Sequence, residues 1–311
     1  MSRVAVIGAG AVGAYYGARL AQAGHEVHFL LRRDYDAVAA RGLEVRSKDG
    51  DFRLDAPHIH RSSAEIGPVD WVICALKATA IEAARDLIAP CLGPATRVLA
   101  LMNGLGIEEQ MAGWFGRARV FGGLAFTCIN RGEPGVIHHI DYGALAIGHL
   151  DDDPAEVATA CALWDGSKVT VSPAPTLLEA RWRKLCWNIP FNGLAVTAGG
   201  VTTDVIMHDP DLRAAAERSM REVVAAGNAD LEAHHAPIRL PVDIVEQMMA
   251  TTDAMAVYRP STMIDFVDGQ PLELEAIFGE PLRRARSLGV PVPSLELLTA
   301  LMRTLDPARR R

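Results

Sequence analysis

The pattern of apolar and polar positions divides this chain into two parts of different character. In the first part, short apolar runs alternate with glycines and charges. Residues 3–7 (Arg3-Val4-Ala5-Val6-Ile7) form an unbroken run rich in β-branched side chains, which predicts a buried parallel strand. Beyond Gly8, Gly10 and Gly13, apolar Tyr15, Ala18, Leu20 and Ala21 recur at helical spacing until Gly24, a residue suited to ending a helix. Residues 27–31 predict a second strand, and alternation over 44–59 around Lys48-Asp49-Gly50-Asp51 predicts an inserted β-hairpin. Further strands are expected at 69–76, 98–101, 120–128, 135–139, 144–148 and 169–171, with helices at 81–87 and 157–164. The later strands alternate or form hairpins, so that part of the sheet is expected to be antiparallel or mixed.

After Ser172-Pro173-Ala174-Pro175 the strand patterns vanish and helical periodicity runs on. The fold class is therefore α/β, a Rossmann-type N-terminal domain with a mixed sheet (1–175) followed by an all-helical C-terminal domain (176–311). Thr176 with Glu179 makes a capping-box pattern. The helix it opens turns Leu178, Trp182, Leu185, Ile189 and Leu194 towards a core. Lys184, Asn188 and Asn192 stand four apart on one face of that helix. An ammonium and two amides are costly to bury without partners, and neighbouring Cys186, Trp187, Pro190 and Phe191 leave the helix little face for water. Pro190 removes a helical hydrogen bond. Helices are also expected at 213–234, at 242–256 and from Pro271, the last holding Glu273, Ile277, Leu282 and Ala285.

The candidate chemistry begins at Gly8-Ala9-Gly10-Ala11-Val12-Gly13. Strand, Gly-x-Gly-x-x-Gly and helix in that order make a dinucleotide fingerprint: Gly8 for the tight turn, Gly10 for backbone approach to a pyrophosphate, Gly13 for close helix–strand packing. The helix N-terminus offers unpaired N–H groups to phosphate. The second strand runs into Arg32-Arg33 where NAD binders usually carry an acid, and a guanidinium fork there suits the 2′-phosphate of NADPH. Arg32 is the better placed of the two, and Asp34 comes too late to hold a ribose. Lys77 and Asn103 follow successive strands, at the edge where doubly wound sheets bind ligands. Cys128, closing the run 120–128, is counted with these cofactor-binding candidates.

Composition narrows the class. The 311 residues are 50% hydrophobic and 22% charged, ordinary for a globular chain, and a net charge of −7 argues against nucleic acid or an anionic membrane as partner. Five scattered cysteines fit neither a disulfide framework nor a zinc site. His138 and His139 point to opposite sides of one strand, and Asp151-Asp152-Asp153 reads as a helix-start loop, so no metal is expected. With no signal-peptide pattern and no apolar run long enough to span a bilayer, a cytoplasmic location is expected.

Taken together, these residues resemble the ketopantoate reductase (2-dehydropantoate 2-reductase) family. The resemblance rests on the glycine loop, Ala75-Leu76-Lys77, Asn103-Gly104, Trp182-Arg183-Lys184-Leu185 with Asn188 and Asn192, Pro260-Ser261-Thr262-Met263, Asp265, Glu273 and Leu282-Arg283-Arg284-Ala285-Arg286. It implies NADPH-dependent reduction of a 2-keto acid, ketopantoate, to pantoate, a step of pantothenate and coenzyme A biosynthesis, with Lys184 as general acid. Asn103, Asn188, Asn192 and Ser261 would hold the substrate, while Lys77 and Glu273 line the cofactor and reaction site. A homodimer is possible. Two departures bear on the substrate: Asn192-Gly193 where the family often has Asn-Pro, and Thr202 where a further Asn is expected. Reduction of a different 2-keto acid, oxidation of a hydroxy acid and a non-catalytic NADPH sensor remain open readings at this point.

Overall fold

The computed structural model describes residues 1–255 and 257–309. The chain separates into two compact units, one of residues 1–102 and 107–177, the other of 103–106 and 178 onward.

The first unit is built on one sheet. Among the described residues its strands are β1 (Arg3–Ile7), β2 (Glu26–Leu30), β3 (Leu43–Ser47), β4 (Phe52–Leu54), β5 (His58–His60), β6 (Val69–Cys74), β7 (Leu92–Ala100), β8 (Val120–Arg131), β9 (Val136–His149) and β10 (Val171–Pro173). They lie in the order β4-β3-β9-β8-β7-β6-β1-β2-β5, with β10 beside β9. The strands from β5 through β2, β1, β6 and β7 to β8 pair in parallel, whereas β8 and β9 form a long antiparallel ribbon. The sheet is thus mixed. Its helices are α1 (Ala11–Gln22), α2 (Tyr35–Arg41), α3 (Ile81–Ile88), α4 (Ile107–Phe115) and α5 (Pro154–Ala162). The core is a continuous cluster in which Val4, Val6 and Phe29 of the sheet meet Ala14, Tyr15, Ala18 and Leu20 of α1. Asp153 starts α5 by accepting the N–H groups of Ala155 and Glu156.

Three local features differ from the pattern reading. The hairpin is confined to β3 and β4, where Leu43 pairs with Leu54; His58–His60 is instead a parallel edge strand on β2. The helix Tyr35–Arg41 is under two turns long, too short for periodicity to reveal it, whereas Ile107–Phe115 carries Ile107, Met111, Trp114 and Phe115 at helical spacing, a signal that the pattern reading passed over. The stretches 135–139 and 144–148 are one strand, Val136–His149, carried past Tyr142 in the left-handed region (φ 60°).

The second unit is helical: α6 (Leu177–Thr197), α7 (Thr203–His208), α8 (Pro210–Ala233), α9 (Ile244–Asp253), α10 (Ser261–Val267), α11 (Glu280–Ser287) and α12 (Pro293–Leu305). Trp182, Ile189, Met220, Val223, Ile277, Phe278 and Leu295 meet in its core, none more than 0% exposed. Asp230 of α8 accepts from Trp182 Nε1 at 2.8 Å and from Arg284 at 3.0 Å, tying α6 to α11. The helix expected to run to Ala256 ends at Asp253, and Ala256 itself lies outside the described residues. Pro271 does not open a helix. Helical structure begins at Leu274 and passes through a π-turn, Glu275–Gly279, into α11.

Candidate functional site

In the first unit, parallel register collects the candidates on one edge. Ile7 pairs with Leu30 on one side and Cys74 on the other, so the chain leaves β1, β2 and β6 at the same level. The loop Gly8–Gly13, Arg32 and Lys77 all follow from that edge. Gly8 sits at φ +88°, and a Cβ there would lie 2.6 Å from Leu76 N, so the turn requires glycine. A Cβ on Gly13 would stand 2.4 Å from Gly8 O and 3.0 Å from Ala75 Cβ, so Gly13 lets α1 pack closely on the ends of β1 and β6; Gly17, whose Cβ would lie 2.6 Å from the Phe29 ring, does the same farther along the helix. A Cβ built on Gly10 would meet nothing within 4 Å, and Gly10 caps the N-terminus of α1, which opens at Ala11. This combination fits a pyrophosphate: open room, bare backbone and a helix N-terminus.

Arg32 and Arg33 are exposed. Asp34 is buried, 6% exposed, and its carboxylate is engaged by Arg131 of β8 and lies 3.7 Å from Arg33. The nearby acid is therefore committed to an internal ion pair, and exposed Arg32 stands two residues past the end of β2. Lys77 is exposed at the start of the turn before α3. Cys128 lies on the β8–β9 ribbon opposite Asp141, past the last β7–β8 pair, Ala100 with Gly122. Partial burial raises its thiol pKa, so it stays protonated near neutral pH.

In the second unit, α6 carries the polar stripe. Lys184 is half-buried, and Asn188 and Asn192 are 7% and 1% exposed. Enough protein surrounds Lys184 for loss of hydration to pull its ammonium down to about 7; Arg181 pushes the same way and Glu273 opposes. Arg181 is a buried cation one helical turn before Lys184, and pattern reading passed over it although the i, i+3 spacing was there to see. Glu273 is buried just ahead of the π-turn. Its neighbour Leu272 gives its N–H to Asp306, and its own carbonyl accepts from Ile277.

Asn192 is held on both sides of its amide: Nδ2 donates to the Asn188 carbonyl at 2.9 Å, and Oδ1 accepts the Thr262 N–H at 3.0 Å. The second bond places exposed Ser261, the first residue of α10. Asn103 groups with this helical unit rather than with the strand it follows. The cause is a backbone dock: Leu105 N donates to Ala276 O at 2.9 Å, inside the π-turn, and Gly104 (φ +107°) presses against Ala276. No sequence signal marks Ala276 for that task. π-Turns inside helices recur at functional sites.

The described residues contain no group of three or more His, Cys, Asp or Glu placed to hold a metal, and no helix long and apolar enough to cross a membrane.

The chain is similar to known proteins over nearly its whole length. Residues 4–152 match the family model "Ketopantoate reductase PanE/ApbA" and residues 176–306 match its C-terminal counterpart. A 2-dehydropantoate 2-reductase of Nostoc sp. is 36% identical over 99% of this chain and 96% of its own length. Crystal structures of two proteins described as 2-dehydropantoate 2-reductase superpose over most of the chain. That from Geobacter metallireducens has a TM-score of 0.93 at 40% identity, covering 97% of this chain and 99% of its own. That from Methylococcus capsulatus has 0.88 at 34%, covering 97% and 96%.

Proposed function

We propose that this chain, which belongs to the ketopantoate reductase family, uses NADPH to reduce 2-dehydropantoate (ketopantoate) to pantoate, a step towards pantothenate and coenzyme A. The observation that carries the reading is Lys184: an ammonium drawn to about 7, beside Glu273 and on one helix face with Asn188. A general acid works best when its pKa lies near the working pH.

The glycine loop would hold the pyrophosphate of NADPH and Arg32 its 2′-phosphate, with Lys77, Asn103 and Cys128 completing the cofactor set. Bound NADPH supplies the hydride. Lys184 faces the keto oxygen, stabilises the negative charge that grows there and gives up its proton to it. Glu273 keeps the ammonium oriented and its charge balanced. Ser261 and Asn188 hold the carboxylate, and Asn192 keeps Ser261 in place. The helical unit is the substrate and dimerisation part in this reading, and the enzyme works in the cytoplasm.

A second reading, the same chemistry on another 2-keto acid, draws support from Thr202 and Asn192-Gly193, where the family pattern is departed from. Loss of NADPH absorbance with ketopantoate and a panel of other 2-keto acids tests both. Turnover of ketopantoate above all others supports the first; no turnover of any member of the panel overturns both and leaves the sensor.

A further inference from the structure

Beside the polar stripe of α6 runs an aromatic one. Lys184, Trp187, Asn188 and Phe191 stand at i, i+3, i+4 and i+7, so they share a face. The Trp187 and Phe191 rings stack with centroids 4.9 Å apart, and Tyr258 meets Trp187 edge-on at 5.8 Å. Phe191 is fully buried, whereas Trp187 and Tyr258 each keep part of their surface open. The Trp187 ring is fixed by its Nε1, which donates to Thr252 Oγ1 at 3.0 Å, and the Tyr258 main chain is held where its carbonyl accepts from Thr203 N at 3.0 Å. Tyr258 stands three residues before Ser261, whose neighbour Thr262 is bonded to Asn192. A 2-keto acid has three groups on its reacting carbon side: the oxygen, the carboxylate and a side chain. The polar residues serve the first two.

We infer that Trp187 and Tyr258 form the wall that receives the substrate's side chain, so that the protein selects 2-keto acids with a branched or aromatic β-carbon over pyruvate. Fixed, half-open aromatic rings beside a few convergent polar groups are the usual make-up of a site for a small molecule with one apolar end. The inference rests on the placement of keto oxygen at Lys184 and carboxylate at Ser261 proposed above.

The test compares kcat/KM for ketopantoate, benzoylformate and pyruvate in the wild type, Trp187→Ala, Trp187→Phe and Tyr258→Ala, all with NADPH. Trp187→Ala and Tyr258→Ala should each lower the value for the two bulky acids by roughly 10- to 100-fold, the range of a lost apolar contact, and that for pyruvate by less than about 3-fold. Trp187→Phe should restore most of the selectivity. Equal losses on all three acids, or an unchanged ratio in both alanine variants, overturns the inference. Calorimetric binding of pantoate and lactate to the NADP⁺-loaded protein reads the same preference without turnover. If no acid is reduced yet pantoate binds more tightly in the wild type and not in the variants, the reductase reading fails and the wall stands. If acids are reduced with no preference for bulk, the wall fails and the reductase reading stands.

Discussion

The side-chain oxygen of Asn192 accepts the main-chain N–H of Thr262 at 3.0 Å, across 70 residues of sequence. Asn192 is 1% exposed and Thr262 likewise, so neither group can turn to water instead. Asn192→Ala leaves a buried N–H without its acceptor, which costs about 1–3 kcal/mol. A lowered urea midpoint is expected, together with a raised KM for the keto acid and unchanged NADPH affinity. Asn192→Asp keeps the acceptor but sets a buried carboxylate oxygen against the Asn188 carbonyl, so it should not recover the stability. An alanine variant with wild-type midpoint and KM would show that the bond positions nothing.

Gly104 cannot be replaced quietly. Its φ of +107° disfavours any side chain, and a Cβ would stand 2.4 Å from Ala276 Cβ and 2.7 Å from the Ala276 carbonyl. Backbone strain and overpacking together put the cost of Gly104→Ala at about 2–4 kcal/mol. The loop carrying Asn103 should detach from the π-turn, so amide exchange at Leu105 speeds up in the variant. Protection at Leu105 equal to that of the wild type would contradict this.

The proton on Lys184 sets the direction of the pH effect. In the proposed mechanism reduction needs the ammonium form, and that form declines as pH rises through about 7. kcat/KM for reduction should therefore be flat in acid and fall about tenfold per pH unit above the pKa. Lys184→Arg stays charged at every usable pH, so whatever activity survives should lose the alkaline limb. Lys184→Ala should lower turnover by about 10²- to 10⁴-fold, the usual worth of a general acid, while NADPH titrations remain normal. Parent-level turnover in Lys184→Ala would remove Lys184 from the mechanism.

In the proposed function Arg32 is the residue that distinguishes NADPH from NADH. It is exposed just past the end of β2 while the neighbouring acid, Asp34, is engaged by Arg131. Arg32→Ala should weaken NADPH binding by about 1.5–3 kcal/mol, on the order of 10- to 100-fold, the worth of a hydrogen bond to a charged group. NADH, which lacks the 2′-phosphate, should bind as before. An equal loss for both cofactors, measured by fluorescence titration, would point to a general disturbance of the edge.

What was legible in the chain alone follows from short-range physics. Apolar runs of β-branched residues before Gly8 and Gly10 specify a buried parallel strand and a tight turn, because few backbones satisfy them. The i, i+4 spacing of Lys184, Asn188 and Asn192 specifies a shared helix face, because helical geometry is the same everywhere. What the tertiary structure decided depends on partners far along the sequence. Tyr35–Arg41 is a helix of seven residues, too short to show a periodicity of its own. His58–His60 became an edge strand because β2 offered it a free ladder, which no hairpin signal encodes. Asn103 went to the helical unit because a π-turn aims the Ala276 carbonyl at Leu105. Asn192, one of three evenly spaced polar residues by sequence, differs from the others through its bond to Thr262. The opening glycines and the Lys184 stripe were set by local spacing; which of those residues hold the frame and which stay open to a ligand was settled by long-range packing, where each buried polar group must find its partner.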